Sequence, residues 1–284
     1  GCIRTFLWLG YSIKDVENAL LHSTDEYPDL VIGCGRLTAP INTFIKCNAP
    51  PNIKTYNIQI QHPRVSPKYF DRVITPKHDI TDNALFGPEI AENVNTIPGS
   101  LHAIDINWIH EGRQQWQHHN KCLSENKNDD IVAVNSIIIG GQHKNCKYNA
   151  DDVKEIIYRF IKECKLHKNN YKTVLYIICS RRTSQNILKM LDIIEIDVEL
   201  PIQIKIWRDS KLDGMHNPYQ MALSTSDKIL VTSDSISMMT ECLAIHNLKK
   251  QNNETSIMYI AFRNKVHGKH ARFLVENQQY FAEI

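Results

Sequence analysis

The segment Thr232-Ser233-Asp234-Ser235-Ile236-Ser237-Met238-Met239-Thr240-Glu241 holds the densest set of groups that could do chemistry. A hydroxyl-rich turn that opens a helix presents backbone amides able to hold an anion. At 3.6 residues per turn, Glu241 lies about a turn and a half inside such a helix. There its carboxylate could accept both hydroxyls of a ribose. Asp234 or Ser235 could instead cap the helix, and Met238 and Met239 suit core packing. Ser180-Arg181-Arg182-Thr183 offers two hydroxyls and two guanidiniums, a natural fork for phosphate or carboxylate. It reads equally well as a solvated loop. Gly140-Gly141 would let a backbone approach a phosphate, although such a pair more often only makes a turn.

The first half carries a comparable set. Gly33, Gly35 and Arg36 form a glycine-bearing turn, and Gln61 with Arg64 follows another apolar run. His78 beside Asp79 could serve as a general base, although neighbours on a loop usually point apart, and His102 after Gly99 is a second candidate. The other histidines, His118-His119 included, lack zinc-ligand spacing, and no Asp-x-Asp pair is present to hold a metal with a diphosphate.

These residues need strands to position them. Short apolar runs at Pro28–Arg36, Tyr56–Gln61, Arg72–Thr75 and Asn93–Ile97 each stop at a polar, proline or glycine turn. Ser12 opens an amphipathic stretch with Ile13, Val16, Ala19 and Leu20 on one face. The polar stretch Ser124–Asp130 reads as a linker, and the pattern then restarts at Ile131–Ile139. A helix from Asp151 follows, with Val153, Ile156, Ile157, Phe160, Ile161 and Cys164 on one face. Further strands fall at Val174–Cys179, Ile202–Trp207, Lys228–Val231 and Ser256–Ala261, and a helix runs through Ala244. The expected fold class is α/β: two Rossmann-like, doubly wound domains, residues 1–128 and 129–284, facing each other across a cleft. In such sheets ligands bind beyond the carboxyl ends of the strands.

Composition narrows the classes. A net charge of +2 over 284 residues gives no field that would favour nucleic acid or an anionic membrane. Eight cysteines without a C-x-x-C pair read as reduced, small apolar residues of a cytoplasmic protein. No apolar run reaches the ~18 residues a transmembrane span needs, and the start has no signal-peptide layout. Neither half shows G-x-G-x-x-G between a strand and a helix, which argues against a dinucleotide oxidoreductase.

Taken in order, PDLVIGCGRLTAP (28–40), IQIQHPR (58–64), FDRVITPKHD (70–79), PGSLH (98–102), IIIGGQHK (137–144), ICSRRT (178–183), NPYQMAL (217–223) and VTSDSISMMTECLA (231–244) resemble the ELM-type mitochondrial fission family of bacteria and plants. The resemblance implies a relative of glycosyltransferase-B proteins that binds a nucleotide-sugar, UDP-linked for example, and uses no metal. It places Glu241 at the nucleotide ribose and Gly140-Gly141 near the donor diphosphate. Ser180, Arg181, Asp234 and Ser235 would complete that side, and Gly33, Gly35, Arg36, Gln61 and Arg64 the acceptor side. His78 or His102 would be the base that activates an acceptor hydroxyl. The plant members imply a rival role, a non-catalytic adaptor that recruits a protein partner such as a dynamin-related protein, placed on the cytosolic face of mitochondria in a eukaryote. Against the family pattern, the chain is expected to lack the first strand with its glycine turn, and the closing helical segment.

Overall fold

A computed structural model describes residues 18, 27–80, 91–123, 131–165, 172–197, 202–208 and 217–284. The Ser12 helix and the Ser124–Asp130 linker lie outside the described residues. The chain divides into two compact units, Gly1–Gly99 and Ser100–Ile284.

In the first unit, β1 (Leu30–Cys34), β2 (Tyr56–Ile60), β3 (Arg72–Pro76) and β4 (Val94–Ile97) form a parallel sheet in chain order. The register pairs Leu30 with Tyr56, Ile58 with Arg72 and Val73 with Val94. Helix α1 (Ala39–Cys47) follows β1; Pro40 suits its first turn, where a missing N–H costs nothing. Because every strand runs the same way, the turns after Cys34, Ile60, Pro76 and Ile97 share one edge of the sheet.

In the second unit, β5 (Ile131–Ile139), β6 (Lys172–Cys179), β7 (Ile202–Trp207), β8 (Lys228–Thr232), β9 (Ile257–Ala261) and β10 (Phe281–Ala282) form another parallel sheet, in the order β10-β9-β8-β5-β6-β7. Counted within the unit this is 6-5-4-1-2-3, the Rossmann order, which reverses direction between β5 and β8. The helices are α2 (Ile106–Leu123), α3 (Ala150–Lys165), α4 (Gln185–Asp197), α5 (Tyr219–Thr225), α6 (Ile236–Gln251) and α7 (Lys269–Glu276). Val174, Leu175 and Ile177 of β6, Ile229, Leu230 and Val231 of β8, and Val153, Ile157 and Phe160 of α3 are fully buried in one aliphatic core.

The division between units falls at Gly99, not near residue 128 where the polar stretch suggests it. Helix α2 is the reason. Gly112 lets it meet α5 at a distance no side chain would allow: a Cβ there would lie 2.4 Å from Ser224 Oγ and 2.6 Å from the Gln220 carbonyl. Gln220 Nε2 donates to the Trp108 carbonyl at 3.0 Å, and Arg113 forms an ion pair with Glu254. Helix α2 therefore belongs to the second unit.

Candidate functional site

The point where the second sheet reverses direction carries two of the loops singled out in the sequence. Gly140-Gly141 follows β5, and Thr232-Ser233-Asp234-Ser235 follows β8. These loops bond to each other. The Gly140 N–H donates to Thr232 Oγ1 at 2.8 Å, and the Gly141 N–H donates to Asp234 Oδ2 at 2.9 Å. Asp234 is 1% exposed. Its Oδ1 also accepts from Thr232 Oγ1 at 2.6 Å and from Tyr148 Oη at 3.0 Å. His270 Nε2 lies 3.0 Å from the Asp234 carbonyl, which can only accept, so the ring carries its proton there. Nδ1 then accepts from Asn145 Nδ2 at 3.3 Å. Burial pushes the Asp234 carboxyl up from its ordinary range, against the bonds from Thr232, Tyr148 and Gly141 that pull it down. The arrangement is a brace, and it explains the first glycine: a Cβ on Gly140 would lie 2.1 Å from Asp234 Oδ2. The two amides expected to face a phosphate are engaged inside the protein, and Asp234 faces inward with them.

Ser180 and its neighbours pack against the same loop. The Ser180 N–H donates to the Ile139 carbonyl at 2.8 Å, and Thr183 Oγ1 donates to the Gly140 carbonyl at 2.8 Å. Ser180 Oγ accepts from the Arg182 N–H at 3.2 Å, while Arg181 and Arg182 are exposed. Ser235 stands at the N-cap of α6 with no side-chain bond to the helix.

Glu241, in the first half of α6, is half-buried. Tyr219, the first residue of α5, donates its Oη to Glu241 Oε2 at 2.5 Å. Asn217 holds that tyrosine's backbone, accepting from the Tyr219 N–H at 3.0 Å. Burial, then Cys242 and Glu241, pushes the Tyr219 hydroxyl well above its ordinary range, so it keeps its proton and remains a donor. Glu241 is thus oriented by a neutral partner. Tyr219 lies in the NPYQMAL motif, but its service to Glu241, 22 residues on, is a tertiary contact without sequence spacing to reveal it.

In the first unit, Gly33 sits inside the sheet, where a Cβ would meet Gln59 Oε1 at 2.6 Å, Asn42 Nδ2 at 2.8 Å and Thr38 Oγ1 at 2.9 Å. Gly35 has φ +80°, donates to the Ile60 carbonyl and accepts from Gln59 Nε2 at 2.9 Å. Arg36, Gln61 and Arg64 are exposed at the carboxyl edge. Gln61 and Arg64 hold φ of 67° and 62°, strained values for residues other than glycine and more common at ligand sites than elsewhere. His62 between them is buried; its Nδ1 accepts from the Arg64 N–H at 3.0 Å. Burial and Arg64 push its pKa down, with Asp79 opposing. His62 is a candidate the sequence reading passes over as a strand stop. His78, by contrast, is 2% exposed in the turn Lys77–Asp79, too enclosed here to offer a base to solvent. His102 is exposed, with Nδ1 accepting from the Ile104 N–H at 3.2 Å, and it belongs to the second unit, not the first.

Fold and edge together define a class: a parallel α/β protein of two units, the second in Rossmann order with polar loops at its reversal point. The chain belongs to the mitochondrial fission ELM1 family, which it matches over residues 6–247. It is 28% identical over 232 residues to the mitochondrial fission protein ELM1 of Arabidopsis thaliana, covering 75% of this chain and 49% of that protein. It is 27% identical over 264 residues to the uncharacterized protein RP120 of Rickettsia prowazekii (strain Madrid E), covering 84% of this chain and 69% of that one. The chain thus spans about half the length of the plant relative. Among solved structures it is similar to the UDP-GlcNAc 2-epimerase of Methanocaldococcus jannaschii, at 14% identity and a TM-score of 0.48 over 97% of this chain and 74% of that one. A complex of that enzyme with UDP-GlcNAc and UDP gives 12% identity and a TM-score of 0.46 over 99% and 75%. Among the described residues no helix is long and apolar enough to cross a membrane.

Proposed function

We propose that the second unit binds a nucleotide-sugar beyond the carboxyl ends of β5 and β8, with Glu241 accepting from the ribose hydroxyls. The observation that carries this reading is the Tyr219–Glu241 pair, a half-buried carboxylate on α6, the helix that follows β8, held in place by a neutral donor at the start of α5. Exposed Arg181 and Arg182 would meet the phosphates. The amides of Gly140 and Gly141 contribute by fixing the loop, since both are bonded to β8-turn side chains. Transfer of the sugar would need a base at the acceptor, and exposed His102 suits that role better than buried His78.

Calorimetric titration with UDP, GDP and CMP tests the reading. One of them binds the native chain, and Glu241→Gln weakens it by about tenfold or more, as loss of a charge-assisted bond requires. If none binds, the reading fails. A second reading then gains ground, an adaptor that recruits a protein partner, because the amides expected to cradle a diphosphate are engaged internally.

A further inference from the structure

A separate feature of the second unit is a cavity of about 450 Å³ lined by Lys144, Cys146, Lys147, Asn264, Lys265 and His267. Neither Tyr219 nor Glu241 is part of its wall. We propose that this cavity is a second anion site, built for a phosphate monoester and distinct from the proposed nucleotide site.

Three lysines and a histidine line one small space. The acidic partner the structure gives them is Asp152, 2.7 Å from Lys265 Nζ. Among the described residues Lys144 and Lys147 have no acidic partner, and a phosphate monoester, close to a dianion at neutral pH, matches that excess. Asn264 adds a neutral amide. The volume suits a small molecule and not a polymer track.

The walls are fixed. The Cys146 N–H donates to the His143 carbonyl at 2.9 Å, and the His143 N–H donates to that of Cys146 at 3.2 Å. Cys146 bridges to Val266, and the His267 N–H donates to the Asn145 carbonyl at 2.8 Å, joining the loop after β5 to the loop after β9. Phe262, at φ 63°, stacks on Tyr148 with ring centres 4.4 Å apart and anchors the second loop. At neighbouring His143, burial first and then Lys269, Arg182 and Lys144 push the pKa down, against Asp234. The loop backbones are already tied down, so binding has to order only the exposed side chains of Lys144 and Lys147.

The test is calorimetric titration of the full chain at low salt with inorganic phosphate and glycerol 3-phosphate. Both probes bind the native chain. Lys144→Gln with Lys147→Gln weakens them by about tenfold per lysine. The paired Arg variant stays within a few-fold of native, and Lys162→Gln with Lys189→Gln, the same charge change at exposed lysines outside the cavity wall, leaves binding unchanged. Vesicles of phosphatidylcholine with phosphatidic acid separate the sources. Sedimentation that glycerol 3-phosphate competes away assigns the site to a lipid headgroup, and no sedimentation assigns it to a soluble ester. The proposal is overturned if neither probe binds the native chain, or if the Gln pair binds as tightly as native. It is equally overturned if the Lys162 and Lys189 pair weakens phosphate binding as much as the Lys144 and Lys147 pair does, or if the vesicles bind without competition.

Discussion

The two sheets share a parallel architecture and are built on opposite interiors. In the second unit, strands β5, β6 and β8 bury near-continuous aliphatic runs, as sheets covered on both faces require. Among the described residues, the first unit gathers Ala39, Phe70, Val73 and Val94 into a buried apolar cluster, with Val65, Ile80 and Ala91 against it. Its central strand β2 buries its polar residues instead: Asn57 and Gln59 are both 0% exposed, while Ile58 and Ile60 are only partly covered. Asn57 exchanges bonds with Asp71 in both directions, at 2.7 and 2.8 Å, and Gln59 bonds to Gly35. Among the described residues, non-directional burial dominates the second sheet, while strand β2 of the first is held by a matched set of buried hydrogen bonds. The first can hold glycines and strained loops at fixed positions because its interior bonds are directional.

Truncating the aliphatic core is expected to have the largest effect. Phe160 is fully buried and meets Tyr259 edge-on at 5.7 Å. Phe160→Ala should cost about 3–5 kcal/mol, read as a lower denaturant midpoint with tertiary signal lost from the tryptophans of the second unit. A loss under about 1 kcal/mol would mean that burial is not what holds this unit. Next is a charge inside the same unit. Lys249 is 2% exposed, its Nζ 2.6 Å from the Ser226 carbonyl. Burial pushes it down to about 8, Arg113 adds to this, and Asp227 and Glu254 oppose it. Unfolded lysine titrates near 10.4, so between these values the unfolded chain holds the extra proton. This group's contribution is therefore lost as pH falls through about 8 and complete above the unfolded value. The stability difference between native chain and Lys249→Met should change by roughly 3 kcal/mol from neutral to strongly alkaline pH. A flat difference would place the charge in contact with water.

The polar interior of the first unit gives the middle effect. Gln59→Ala removes donors from the Gly35 and Ile60 carbonyls and should cost about 1–3 kcal/mol, with amide exchange rising in β1 and β2 but not in β5 or β6. Equal loss of protection in both sheets would erase the contrast between the units. The same region shows where the sequence misleads. Alternation in Tyr56–Gln61 marks a strand correctly, yet it suggests the isoleucines as the inward set, because hydropathy cannot register partners such as Asn42 and Gly35 that arrive from elsewhere. The four described strands of the first sheet are legible, since each apolar run stops at a turn former. Helix α2 was not, although Ile106, Ile109 and Trp116 lie at helical spacing; the polar stretch after it drew the boundary too late. Site loops were legible by position and not by bonding: sequence marks Gly140, Asp234 and Glu241, and only tertiary contact assigns two to a brace and one to a tyrosine.

The smallest effect bears most directly on function, because it asks which unit holds the nucleotide. Tyr219 Oη is the group that fixes Glu241, and it stays protonated at any ordinary pH. Tyr219→Phe deletes one oxygen from a well-packed ring and leaves the fold intact, but frees the Glu241 side chain to rotate and to take up water. The bound state must then restore an orientation that the native chain already holds. Affinity for the nucleotide that binds should fall by about tenfold, the equivalent of one hydrogen bond to a charged group. Gln61→Ala, in the first unit, is the control: the residue is exposed and its φ of 67° suits a small side chain no worse than a long one. Under the proposed function it leaves nucleotide affinity unchanged. If both variants weaken binding equally, the nucleotide does not belong to the second unit alone. If Tyr219→Phe has no effect while Glu241→Gln does, Glu241 binds without needing its tyrosine, and the pair is structural.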